Sequence, residues 1–157
     1  MAAGLILVVG LTAYLAGQPW LFPSLGPTAY LLASYPDLPS SRVYNCLVGH
    51  VVGVGSGFAA VAIFNAWQSP IVPLHEVTLP RLGAAALAIG LTVFVNHLLG
   101  SGHPPAAATT LLVSLGTFHT IWSAALVVIG VVLLVILGDG MRRLRKRSHG
   151  SGRSLGG

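Results

Sequence analysis

The chain has 157 residues, 54% hydrophobic and 7% charged, with a mean hydropathy of +0.83. Soluble domains carry roughly 25% charged residues, so this composition excludes one and predicts a single integral membrane domain. The net charge of +5 does not point to nucleic acid, because Arg142, Arg143, Arg145, Lys146, Arg147 and Arg153 all follow the last apolar run. A basic cluster in that place reads as a cytoplasmic stop in contact with anionic lipid.

The N-terminal apolar run, Gly4 to Leu15, resembles a signal peptide but lacks a basic start, so it reads as a retained first span over Ala3 to Ala16. It is short for a hydrocarbon core that needs about 20 helical residues. Pro19, Pro23, Gly26 and Pro27 then forbid a continuous helix. Thr28 to Ser34 has room for two turns of helix, and Tyr35 to Ser41 is a surface loop before Arg42.

The second span runs from Val43 to Ala66, and its Gly49, Gly53 and Gly57 fall on one face where another backbone can approach. Cys46, the sole cysteine, excludes an intrachain disulfide and a thiolate metal site, and reads as a small apolar residue. Pro80 and Arg81 open the third span, which ends near Leu99. A second proline-broken segment covers Gly102 to Gly116, and the fourth span covers Ile121 to Leu137. Residues 141–157 form a basic tail, expected to be disordered and cytoplasmic.

Span, broken segment and span therefore occur twice, with Gly26-Pro27-Thr28-Ala29 and Pro104-Pro105-Ala106-Ala107-Ala108-Thr109 in corresponding places. Paired Gly/Pro interruptions in two halves point to a transport site. With Pro105 as first helical residue, the N–H groups of Ala106, Ala107 and Ala108 are left without internal partners. Pro27 does the same for Thr28, Ala29 and Tyr30. The helix dipole adds about half a positive charge at each start. Two such ends build an anion site without a lysine or arginine.

The spans carry no charged residue, and Asp37, Glu76 and Asp139 fall in loops or at the tail. That favours a small anion or a neutral solute over a metal cation. His103 either caps the second broken helix or carries a proton that accompanies an anion. His50 lies beside Gly49 on the packing face, and Asn45 lies nearer the mouth. Asn96 and His97 read as interface residues, and His75, His119 and His149 as loop or tail. No histidine pair has zinc-enzyme spacing, so neither metal nor cofactor is expected. Ser24 and Ser101 have no carboxylate-backed base, so no enzyme is expected either.

His103-Pro104-Pro105-Ala106 with Ala108-Thr109-Thr110 resembles the signature of the HPP family of small membrane proteins. Ser24-Leu25-Gly26-Pro27-Thr28-Ala29 is similar to that family's first broken motif, and Asn45 with Gly49-His50 to its Asn-x-x-x-Gly-His pattern. The resemblance covers most of residues 1–140. It implies four transmembrane helices and, from members regarded as nitrite transporters, nitrite as the first substrate. Arg42 stands three residues before Asn45, whereas the family commonly places a basic residue directly before it.

The expected fold is thus an all-α membrane protein with four transmembrane helices plus two proline-broken re-entrant half-helices in two repeated halves. An alternative has the broken segments crossing fully, giving six crossings and inverted halves. One arginine at each place, Arg42 and Arg81, does not decide between them. The expected function is a small-anion transporter or channel in the inner or plasma membrane. Its substrate site draws on Ser24, Gly26, Pro27, Thr28, Ala29, Asn45, His50 and His103 to Thr109, and the assembly is a homodimer. A membrane interaction or sensor module with a partner-binding tail is the competing class.

Overall fold

The computed structural model describes residues 1–118 and 120–151. His119, and the tail beyond Ser151 with Arg153, lie outside them. Six α-helices follow in order: α1 (Ala2–Leu15), α2 (Leu25–Ser34), α3 (Val43–Ile63), α4 (Leu79–Leu98), α5 (Ala106–Ser114) and α6 (Ile121–Ser151). No strand occurs among the described residues. Three helices are long and apolar enough to cross a membrane: Val43–Ile63, Leu79–Leu98 and, within α6, Ile121–Arg145. The chain is thus all-helical, with long and short helices in the expected order.

Local chemistry sets the boundaries. The chain leaves α1 at Gly17 (φ 62°) and α4 at Gly100 (φ 60°), the left-handed conformation that glycine adopts without strain. In both, the next residue closes the turn by donating five residues back: Gln18 N–H to the Ala13 carbonyl, and Ser101 N–H to the Asn96 carbonyl. The first helix of each half therefore ends in the same motif. Pro27 falls inside the first turn of α2, where its missing N–H costs no helical bond. α2 thus begins three residues earlier than Thr28, and α5 begins one residue after Pro105.

α6 outruns the span expected for it. Asp139 pairs with Arg142 (3.6 Å) and Arg143 (2.7 Å) at helical spacing. These pairs carry the helix across Gly138-Asp139-Gly140. Positions 141–151 are helical where irregular chain was expected.

The packing pattern is unchanged when the halves are exchanged. In each half the first helix packs on the short one, α1 on α2 and α4 on α5. Each short helix packs on the third helix of the other half, α5 on α3 and α2 on α6, and α3 meets α6. Glycine permits the closest of these approaches. A Cβ at Gly53 would lie 2.8 Å from Thr110 Oγ1, and one at Gly57 2.7 Å from Val113 Cβ. In the other half, a Cβ at Gly130 would lie 2.7 Å from the Trp20 carbonyl oxygen. The expected glycine face of the second span is therefore an internal seam against α5. Buried Leu25, Val113, Val127, Val131 and Leu134 fill the centre, and Ala60, Ala84 and Ala88 join α3 to α4.

Contacts at the two ends fix the directions. At one end, the tail end, Tyr44 Oη donates to the Leu99 carbonyl (3.1 Å), joining the start of α3 to the end of α4. There too Arg142 donates to the Pro36 carbonyl and Arg145 to the Ala33 carbonyl. At the opposite end, Val72 N–H donates to the Leu115 carbonyl (3.1 Å), and Phe22 meets Phe118 edge to face at 4.8 Å. α5 therefore runs in the direction from the tail end to the other, while α2 runs the opposite way. α3 and α6 are likewise opposed. The halves are inverted. Opposed short helices are what the six-crossing alternative requires, while three helices are by themselves long and apolar enough to cross.

Candidate functional site

The starts of both short helices lie inside the bundle. His50 stands seven residues into α3, a depth of about 10 Å at 1.5 Å per residue. At that level α2, α3 and α5 converge on one buried polar cluster. His50 Nε2 is 3.0 Å from Thr28 Oγ1, and His50 Nδ1 is 2.7 Å from Thr109 Oγ1. His103 Nε2 is 3.3 Å from the same Thr28 hydroxyl, and His103 Nδ1 donates to the Ser40 carbonyl at 2.7 Å. The imidazole centroids are 5.0 Å apart. Thr28, His50 and Thr109 are fully buried and His103 is 3% exposed.

Local sequence produces this convergence. Gly49 lies against His103, where an added Cβ would stand 2.8 Å from His103 Cβ. Gly49 is therefore the residue that lets the His103 ring enter beside His50. Pro104 and Pro105 form the tight turn that opens α5, with Pro105 already at helical angles (φ −58°, ψ −21°), and the His103 ring just before it reaches across to α2.

The expected bare amides are not found. Ala106, Ala107 and Ala108 donate their N–H groups to the carbonyls of His103, Pro104 and Pro105 at 3.0–3.1 Å. Leu25 and Gly26 donate to Phe22 and Pro23 in the same tight turn. With α2 beginning at Leu25, the amides of Thr28, Ala29 and Tyr30 fall beyond the orphaned first turn. Tight i→i−3 turns thus consume the donors that proline was expected to free. The donors at this level are side chains.

One of them is unpaired. Ser24, the residue before α2, is fully buried, and its hydroxyl has no hydrogen-bond partner; Trp20 Nε1 is likewise buried and unpaired. Ser24, Thr28, His50, His103 and Thr109 thus share one region, with Ala29, Pro105 and Ala106 buried around them. Gly26, Pro27 and Pro104 are exposed and face away, and Ala107 and Ala108 are half-buried. Asn45 is buried on α3, outside this chain of bonds.

His103 also lines a cavity of about 660 Å³ at the tail end, together with Ser40, Thr92, Asn96, His97 and Ala107. Asn96 is buried and accepts a bond from the Ser101 hydroxyl (2.7 Å). Thr92 pairs with Thr110 at 2.9 Å. The stripe Ala84, Ala88, Thr92 and Asn96, each four residues apart and all buried, is the signal that marks this face.

The sequence placed Arg81 only at the opening of the third span. It is 2% exposed and sits inside α4. Its guanidinium donates to the carbonyls of Ser69 (2.9 Å), Pro70 (3.3 Å) and Ser114 (3.1 Å). A cation at the end of α5 answers the negative end of that helix dipole, as Arg142 and Arg145 do at the end of α2. Both short helices thus have arginines at their ends and neutral polar side chains near their starts.

No curated protein and no solved structure matches the chain. A family model described as "HPP, transmembrane region" matches residues 1–150, well over half of the sequence, and the chain belongs to that family of membrane proteins.

Proposed function

We propose that the protein carries a small anion across the bilayer, nitrite first, past the cluster of Ser24, Thr28, His50, His103 and Thr109. The observation that carries this proposal is the convergence of two inverted halves on His50, Thr28 and His103. Inverted repeats with broken helices are a common transporter architecture, with the site where the repeats meet. The donors there are hydroxyls and imidazoles, which hold an anion without the tight grip of a lysine. The unpaired Ser24 hydroxyl adds a donor with no acceptor in the protein.

In this proposal all six helical segments cross, and both termini are cytoplasmic. Arg42, Arg142, Arg143 and Arg145 then lie inside, and Arg81 alone lies outside, held by carbonyls. The protein works as a homodimer. Because the α3 glycine seam is filled by α5, the subunits meet elsewhere, with α4 exposing Leu82, Val93, Phe94 and Leu98. The test is uptake of nitrite, nitrate, formate and chloride into proteoliposomes. Nitrite uptake above protein-free vesicles, reduced in His103→Ala, supports the proposal. Uptake of none of the four removes it.

A further inference from the structure

With both imidazoles neutral, one arrangement of protons makes all four bonds that link Thr109, His50, Thr28, His103 and Ser40. The Ser40 carbonyl only accepts, so His103 Nδ1 carries the hydrogen. His103 Nε2 then bears a lone pair, and Thr28 must donate its hydroxyl proton there. That proton is used once, so at the other bond His50 Nε2 donates to Thr28 Oγ1. His50 Nδ1 is then an acceptor, and Thr109 donates to it. All four bonds point the same way, from Thr109 to Ser40.

A second satisfied state holds one more proton with every heavy atom in place. The Thr28 hydroxyl has another acceptor, the Ser24 carbonyl at 3.3 Å. When its proton swings there, the two lone pairs of Thr28 Oγ1 are free to accept from His50 Nε2–H and from a new His103 Nε2–H. The added proton comes from a water or buffer acid in the cavity that His103 lines, and His103 becomes an imidazolium. No bond is lost, and the cluster gains one positive charge.

That charge is not stable alone. It is buried, and it stands beside the start of α5, where the helix dipole is already positive. The titratable groups that face it offer no answering negative charge: His50 on α3, Cys46 on α3 with its thiol on the same Ser40 carbonyl, and His97 on α4 across the cavity. Asp37, three residues before Ser40, is the nearest acid along the chain. α2 and α5 contribute only hydroxyls to the cluster.

We propose that His103 takes up one proton as each anion binds, with the Thr28 hydroxyl as the switch, so that the bound pair is neutral. This rests on the anion-transport proposal above. By linkage, an anion that favours the imidazolium must itself bind better when His103 is protonated.

The test is nitrogen-15 NMR of the full chain, labelled at histidine, in lipid nanodiscs, with sodium nitrite as the probe. His103→Gln and His50→Gln assign the signals. Without nitrite, neutral His103 is the Nδ1–H form and His50 the Nε2–H form. Nitrite at fixed pH increases the imidazolium fraction of His103 at least severalfold. Thr28→Ser keeps that response and Thr28→Val loses it. The unmodified chain alone decides the matter should Thr28→Val not fold. A neutral His103 in the Nε2–H form, or an imidazolium fraction indifferent to nitrite, overturns the switch. Nitrite flux that carries net charge, with His103 indifferent, sinks the switch and leaves anion transport standing. A nitrite-linked His103 with no flux in proteoliposomes upholds the switch and sinks transport.

Discussion

Gly49 of α3 and His103 at the start of α5 touch so closely that a single added methyl would stand 2.8 Å from His103 Cβ. The same seam continues at Gly53 and Gly57, and Gly130 repeats it in the other half. Overpacking of this kind costs about 1–3 kcal/mol. Gly53→Ala, which also meets the Ala106 carbonyl oxygen at 2.9 Å, and Gly130→Ala should lower thermal stability in detergent. Gly55→Ala, with nothing within 4 Å, should be neutral or slightly stabilising. Equal melting temperatures for all three would contradict the seam.

Arg81 ties the end of α5 to the turn after α3 through three carbonyls. Hydrogen bonds to a charged donor contribute about 1.5–3 kcal/mol each where water is excluded. Arg81→Gln should therefore destabilise by about 3 kcal/mol or more. Arg81→Lys should recover little, because a point-like ammonium does not reproduce the spread of the guanidinium's forked donors. Chemical unfolding in detergent micelles measures both, and a Lys variant as stable as the unmodified chain would refute the fork geometry.

The direction of α5 makes a labelling prediction. Gly102 lies at its start and Thr120 beyond its end, both exposed. In a Cys46→Ala background, cysteines at these two positions should react with an impermeant maleimide from opposite sides of a vesicle. Labelling of both from one side would restore the re-entrant arrangement.

The order of long and short helices was legible because prolines, glycines and apolar runs are local signals. So was the α3 glycine seam, since a four-residue spacing puts all three glycines on one face. His50 and His103 were legible as polar residues in apolar surroundings. The direction of α5 was not. Arg42 and Arg81 balance each other in the sequence, and only the contacts of Leu115 with Val72 and of His103 with Ser40 reveal it. The amides of Ala106 to Ala108 were misjudged because nothing in Pro104-Pro105 tells a bare helix start from one closed by a tight turn. Thr28 was legible as a helix-start residue, but its place between two imidazoles depends on three separate elements.

An exposed histidine supplies a control. His75 is exposed in the turn before α4, and His75→Ala should leave flux unchanged. His50→Ala removes the bonds to Thr28 and Thr109 at once and should reduce flux at least as strongly as His103→Ala. Initial rates in proteoliposomes, normalised to the amount of folded protein, check both.

Nitrite uptake into proteoliposomes, compared between the unmodified chain and His103→Ala, tests the central claim most directly. The account predicts uptake well above protein-free vesicles, falling about tenfold in the variant, as expected for the loss of one interaction of about 1.4 kcal/mol. Uptake no faster than in empty vesicles, or equal rates in the two proteins, would contradict it.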